Sequence, residues 1–374
     1  MQKPKAIVSV INDLVTDRRV HKTCMVLTEQ GYEVTLVGRV LKNSLPIDER
    51  VYKTHRMKLW FEKGVAFYAE FTIRLFFFLL KNKADLLVAN DLDTLWPNNF
   101  FSRKRKVALV YDSHEIFCEV PELQHTPLKK KIWESLEKHI VPKLKYCITV
   151  NQSIANWFNA KYRTDFKVVR NIPDKIIIDR IKTRVELNLP TDKKIILLQG
   201  AGINIQRGAE EAVEAMQYID HAILLIIGGG DAISNLEFRI KNLELQNKVV
   251  MLPKMKPEEL YQYTCNADIG LSLDKATNLN YQYSLPNKLF DYVYAGIPVL
   301  ASPLTEIKVF IDVYQVGICI ENHTAKHIAE KMQYMLSSNE FGTWKANTRI
   351  AAQENNWEKE KQVWINIINE IKSK

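Results

Sequence analysis

The sequence predicts an α/β protein of two doubly wound domains, each on a parallel sheet, and three observations predict it. Short continuous apolar runs alternate with longer amphipathic stretches along the whole chain. That is the pattern of strands buried on both faces and joined by crossover helices. The alternation runs to about residue 170 and then begins again. At 374 residues the chain is long enough for two domains of roughly 150 residues, each with a core of its own.

In the first half, strands are expected at Ala6–Ile11, Glu33–Val37, Leu86–Ala89, Ala108–Asp112 and Tyr146–Val150, with a shorter one at Lys167–Val169. Helices fall between them at Asp17–Gln30, Val65–Lys83, Leu128–Val141 and Gln152–Lys161. Asn171-Ile172-Pro173-Asp174 carries turn chemistry and marks the passage from a first domain, 1–170, to a second, 171–356. Second-half strands are expected at Lys194–Gln199, Ala222–Ile227, Val249–Leu252, Ile269–Leu273 and Val299–Ala301. Helices are expected near Gly208–Met216, Ile233–Leu243, Pro257–Tyr263 and Asn287–Ala295. A last helix over 357–374 places Trp357, Val363, Trp364, Ile367, Ile368 and Ile371 close to one face. Ligands of doubly wound sheets bind outside the carboxyl ends of the strands, so two such domains facing each other would line one cleft.

Composition excludes several classes. With 47% hydrophobic and 25% charged residues the chain is neither disordered nor collagenous. Cys24, Cys118, Cys147, Cys265 and Cys319 are far apart with no CxxC, which reads as reduced thiols rather than bridges or a zinc site. Asp13 interrupts the first apolar stretch, and no leader peptide is expected. Glu70 and Arg74 interrupt Val65–Leu80, too short and too charged to span a bilayer. A cytoplasmic protein is expected, one that can lie against the inner face of a membrane.

Net charge is +9, unevenly spread. Residues 1–184 hold 33 Lys and Arg against 20 Asp and Glu; the remainder holds 19 against 23. A basic first half implies an anionic partner there: a membrane surface, nucleic acid or phosphate-bearing lipid. Arg103-Lys104-Arg105-Lys106 and Lys129-Lys130-Lys131 are the densest clusters, and they also fit a solvated loop and helix face. Phe71, Phe76, Phe77 and Phe78 beside Arg74 suit either an interfacial face or a packed core.

Three glycine- or proline-marked turns carry chemistry. Gln199-Gly200-Ala201-Gly202 ends a strand, and Arg207-Gly208 opens a helix. Such a turn offers backbone N–H groups to an anion and Arg207 adds a charge, though an ordinary loop with a surface arginine reads the same way. Gly228-Gly229-Gly230-Asp231 lacks the third glycine of the dinucleotide fingerprint, because position 233 is Ile, so no redox cofactor is expected. It serves either a tight turn or close approach to a ligand. In Ser284-Leu285-Pro286-Asn287-Lys288-Leu289-Phe290-Asp291, Pro286 begins a helix whose first turn holds Asn287 and Lys288. Free N–H groups and Lys288 favour phosphate, and Asp291 on the same face can accept from sugar hydroxyls; a capped helix with an ion pair is the alternative. His114 can act as general acid/base or hydrogen-bond donor, or be a satisfied buried histidine. His114-Glu115-Ile116-Phe117-Cys118 lacks the second histidine of a zinc helix.

In this order and spacing, the stretches Gln199–Gly208, Leu224–Gly230, Leu252-Pro253-Lys254 and Leu285–Pro298 resemble the family-four glycosyltransferases of GT-B architecture. Asp17-Arg18-Arg19-Val20-His21, Asp91-Leu92-Asp93 and Tyr111-Asp112-Ser113-His114-Glu115 extend the resemblance into the first half. It implies two Rossmann-like domains across a cleft, with the terminal helix returning to the first. It further implies a nucleotide-diphosphate sugar as co-substrate, held mainly by the second domain, a glycan or lipid-linked acceptor on the first, and transfer with retention. No cofactor and no bound metal are implied. By position, Gly200, Gly202, Arg207, Gly230, Lys254, Asn287, Lys288 and Asp291 would bind the donor. Arg207, Asn287 and Lys288 would take the diphosphate and Asp291 the ribose. His114 would be catalytic, with Asp17, Arg18, Asp91, Asp93 and Glu115 on the acceptor side. The expected role is hexosyl transfer in cell-surface polysaccharide synthesis, with an anionic membrane surface as a further partner and no specific nucleic acid.

The resemblance has departures. The EX7E pattern requires an acid eight residues before Asp291, where Tyr283 stands; Asp291 itself is shortened from Glu, and the arginine expected six residues before Arg207 is Ala201. These favour an alternative, a non-catalytic GT-B subunit that binds a glycan or a partner glycosyltransferase. A sugar-nucleotide epimerase is a third reading. Asp91 and Asp93 mimic the DxD metal motif of another glycosyltransferase architecture, but in a GT-B chain a loop near the acceptor is expected there.

Overall fold

The computed structural model describes residues 3–15 and 17–373 in two compact units, Met1–Asn171 with Glu358–Lys374, and Ile172–Trp357. In the first unit seven parallel strands, β1 (Lys5–Asp13), β2 (Glu33–Val40), β3 (Lys53–Lys58), β4 (Leu86–Asn90), β5 (Ala108–Ser113), β6 (Tyr146–Thr149) and β7 (Phe166–Val168), lie in the order β3-β2-β1-β4-β5-β6-β7. Every residue of β4 is buried, as a central strand covered on both faces requires. Helix Trp357–Lys372 completes this unit, burying Trp364, Ile367 and Ile368 and joining Glu360 to Arg170 at 2.6 Å.

The second unit holds β8 (Lys194–Gly200), β9 (Ala222–Gly228), β10 (Val249–Leu252), β11 (Ile269–Ser272), β12 (Val299–Ala301) and β13 (Gly317–Cys319), in the order β10-β9-β8-β11-β12-β13. Successive residues of β8 feed opposite cores: Ile196 and Leu198 enter one, Ile195 and Leu197 the other. In each sheet the chain works outward from its first strand and then returns to continue on the other side. β1 beside β4 and β8 beside β11 are therefore the topological switch points, where a doubly wound sheet opens a crevice at its carboxyl edge.

Several elements differ from expectation. β3 and β13 are edge strands that were not expected; β3 reads Lys-Thr-His-Arg-Met-Lys and buries Met57 alone, whereas β13 is a three-residue strand inside the short apolar run 316–320. Helix Leu92–Arg105 stands where a loop was expected around Asp91 and Asp93; Pro97 and a charged last turn hid its periodicity. Helices Thr305–Tyr314, Ala325–Ser337 and Phe341–Glu354 were also unforeseen. Among the described residues no helix is long and apolar enough to cross a membrane. All five cysteines are free.

Candidate functional site

Chemistry-bearing side chains collect at both switch points. In the second unit, the loop after β8 is pressed against the end of β11 by Gly208. Its φ is +79° and a Cβ there would lie 2.3 Å from the Leu273 carbonyl oxygen, so only glycine fits. This close approach brings Arg207 to Asp274, 3.7 Å apart, with its guanidinium 4.8 Å from the centre of the Tyr281 ring. Lys288, in the first turn of helix Asn287–Ala295, reaches the other Asp274 oxygen at 2.7 Å. Two cations thus share one buried carboxylate. Lys275, next in the chain, is paired with Glu211.

The glycines divide into two kinds. A Cβ on Gly228 would lie 1.9 Å from the Gly200 carbonyl oxygen, and one on Gly230 would lie 2.2 Å from that of Ile203. The Ile203 N–H donates to the Gly229 carbonyl at 2.8 Å. Gly228 and Gly230 therefore let two loops touch, while a Cβ on Gly229 would meet nothing within 4 Å. Gly200 and Gly202 meet nothing closer than 3.6 Å. No packing in the protein demands glycine at either, which leaves their backbone open to a ligand. The Asp291 carboxylate accepts from the Gln199 side chain at 3.2 Å, and Gln199 in turn accepts from Thr264 at 2.7 Å, which fixes the acid's orientation. Asn287 and Lys254 are exposed and enter none of these contacts; Lys254 follows β10, at the far edge of the sheet.

In the first unit, β4 runs into Asp91, whose φ of 59° and ψ of 170° fall in a region otherwise almost confined to glycine. That strained residue turns its carboxylate onto the residue after β5. It accepts from the His114 backbone N–H at 2.8 Å and lies 3.2 Å from the ring Nδ1. The ring Nε2 faces Asp112 at 3.6 Å. Asp112 is fully buried and takes both ends of Arg19, at 2.6 and 3.1 Å, while Arg19 also donates to the Val169 carbonyl at 2.6 Å. Burial alone would lower the His114 pKa, but Asp91 and Asp112 outweigh it and raise it to about 9. The two carboxylates thus favour the charged form of the ring at neutral pH. Burial would raise Asp112, yet Arg19 and His114 hold its carboxyl below the ordinary range. Burial, with Asp91 adding to it, pushes Glu115 up to about 7 and Asp93 well above the usual carboxylate range. The Asp93 Oδ1 is buried with no hydrogen-bond partner among the described residues. Asp17 serves as the cap of helix Arg18–Glu29, accepting from the Val20 N–H at 3.1 Å, and Arg18 is exposed. Arg19, Asp112, Asp274, Tyr281 and Gln199 were not singled out as site residues; the motifs around Arg19, Asp112 and Gln199 were the signal for three of them.

Two protein families match the chain in tandem: Glycosyltransferase Family 4 over residues 16–176 and Glycosyl transferases group 1 over 179–356. No curated protein matches it by sequence. Among solved structures, sucrose-phosphate synthase from Thermosynechococcus elongatus is 17% identical with a TM-score of 0.79, covering 99% of this chain and 100% of that one. A glycosyltransferase from Rickettsia africae is 16% identical with a TM-score of 0.75, covering 98% of each chain. Anabaena HepE in complex with UDP and glucose is 14% identical with a TM-score of 0.74, covering 98% of this chain and 99% of that one. At such identities the structural likeness speaks for the fold.

Proposed function

We propose that this chain, a GT-B glycosyltransferase resembling family four, moves a hexose with retention from a nucleotide-diphosphate sugar to a glycan or lipid-linked acceptor. The observation that carries the reading is the pair Arg207 and Lys288 around Asp274, at the switch point of the second unit. A diphosphate there would meet two cations and the free N–H groups at the start of helix Asn287–Ala295. Gly200 and Gly202 would let it approach the backbone. Charge developing on the departing diphosphate would fall on Arg207 and Lys288, which removes the need for a bound metal or any further cofactor. Asp291, oriented by Gln199, suits the ribose hydroxyls.

In the first unit the imidazolium of His114 is a donor for a developing negative charge. Asp93 and Glu115, held toward their neutral forms, suit an acceptor's hydroxyl groups. HepE was solved with UDP-glucose, which makes uridine donors the first to try. WaaG, described as acting in lipopolysaccharide biosynthesis, supports a cell-surface product, and with it a place in the cytoplasm against the inner membrane face. A second reading, a non-catalytic subunit, draws on Tyr283 and Ala201 at positions where the family carries an acid and an arginine.

Incubating the chain with a panel of nucleotide sugars and a cell-surface glycan extract, with and without EDTA, tests the proposal. Release of nucleoside diphosphate with a product of retained anomeric configuration is expected, insensitive to EDTA and lost in Lys288→Ala. Donor that binds without turnover under any condition would hand the protein to the second reading.

A further inference from the structure

Helices Gly64–Lys81 and Leu92–Arg105 pack side by side on the outer layer of the first unit, and their solvent side is unusual. The inner face of the first helix is complete: Phe67, Phe71, Leu75 and Leu79 are buried at helical spacing. Yet Ile73 and Phe77, on the opposite side, are 56% and 55% exposed. On the second helix Trp96 and Phe100 are 43% and 40% exposed. Phe77, Trp96 and Phe100 form one connected ridge through Phe76, whose ring lies 5.9 Å from Phe77, 5.8 Å from Trp96 and 5.3 Å from Phe100.

Charge on the ridge has one sign. The only acids on the two helices are Glu70 and Asp93. Glu70 is spent on the backbone N–H groups of Trp60 and Phe61 and on Arg74, and Asp93 is buried. Arg105 clamps the carboxyl ends of both helices together by donating to the carbonyls of Leu79, Leu80 and Asn82. Exposed Lys81, Lys83, Arg103, Lys104 and Lys106 therefore gather at one end, with the Lys104 ammonium 5.8 Å from the Phe100 ring centre. Aromatic and aliphatic side chains beside a basic cluster, with no exposed carboxylate on either helix, complement a surface that is anionic outside and apolar beneath.

We propose that this ridge is the surface by which the chain docks on an anionic lipid bilayer, with Phe77, Trp96 and Phe100 entering the acyl boundary and Arg103 and Lys104 meeting headgroups. The inference deepens the reading of a membrane-facing first unit, and rests on that reading only for the kind of partner. Sedimentation of the full chain with vesicles tests it, using phosphatidylcholine alone and an equal mixture with phosphatidylglycerol. Binding is expected on the mixed vesicles alone. Arg103→Gln with Lys104→Gln should weaken it about 30-fold, and Phe77→Ser with Phe100→Ser by about tenfold or more. Equal binding to both vesicle types, or binding unchanged in both double variants, would overturn the proposal. So would a dimer of the free chain that dissociates in Phe77→Ser with Phe100→Ser, which would give the ridge to a second copy. Should the aromatic pair fail to fold, the charge pair, at exposed positions, still decides. UDP affinity, measured on the same samples, belongs to the second unit and should not move, so failure of the docking surface and failure of the donor site are told apart.

Discussion

The two switch points occupy the same place in their sheets and balance charge in opposite ways. In the first unit Arg19 and His114 are matched one for one by the carboxylates Asp112 and Asp91, while burial holds the neighbouring Asp93 and Glu115 toward their neutral forms. In the second unit Arg207 and Lys288 outnumber Asp274, and both remain partly accessible, with side chains 34% and 14% exposed. One crevice holds its positive charge in place; the other has positive charge to offer. A doubly wound sheet supplies the crevice, and the residues at the ends of its first and fourth strands, joined in the first unit by those of the fifth, decide what the crevice can bind.

Asparagine substitution should separate the two regions most sharply. Asp112→Asn leaves the buried Arg19 without its carboxylate and should cost about 3–5 kcal/mol, read as a fall in denaturant midpoint. Asp274→Asn should cost less, about 1–3 kcal/mol, because Arg207 and Lys288 are less buried than Arg19, and should tighten nucleoside diphosphate binding. Equal losses from the two would erase the distinction.

The glycines sharpen it next. Gly208→Ala puts a Cβ against the Leu273 carbonyl at a positive φ and should destabilise by about 1–3 kcal/mol. Gly202→Ala, with the Asn204 side chain no closer than 3.6 Å, should leave melting nearly unchanged and weaken only nucleotide affinity.

Titration of the first unit separates the two regions by pH instead of by a single substitution. A histidine raised to about 9 by carboxylates adds stability that is fully present below the ordinary pKa near 6.5 and is lost as pH rises through 9. The stability gap between wild type and His114→Gln should therefore narrow between those two pH values. A gap that widens with rising pH would mean the ring is held neutral.

Most of the fold was legible because buried parallel strands are continuous apolar runs, and β1, β4, β8 and β9 are such runs. β3 pairs through a polar, charged segment and left no trace, and β13 is three residues of a short apolar run that periodicity alone does not distinguish from a loop. The donor-side residues Arg207, Lys288 and Asp291 sit at a turn and a helix start with local signatures. Asp274, the common partner of Arg207 and Lys288, lies on a third segment, where no local pattern marks it. The choice between Arg18 and Arg19 was a matter of helical phase. Arg19 shares the buried side with Val20, Thr23 and Cys24, whereas Arg18 is exposed, and the pairing with Asp112 spans 93 residues of sequence.

Calorimetric titration of UDP, GDP and ADP into the wild-type chain and into Arg207→Ala with Lys288→Ala tests the central claim most directly. One nucleoside diphosphate should bind the wild type without added metal, and the double variant should lose about 100-fold or more in affinity while melting normally. Equal affinity in the two proteins would show that the cations around Asp274 do not hold the diphosphate.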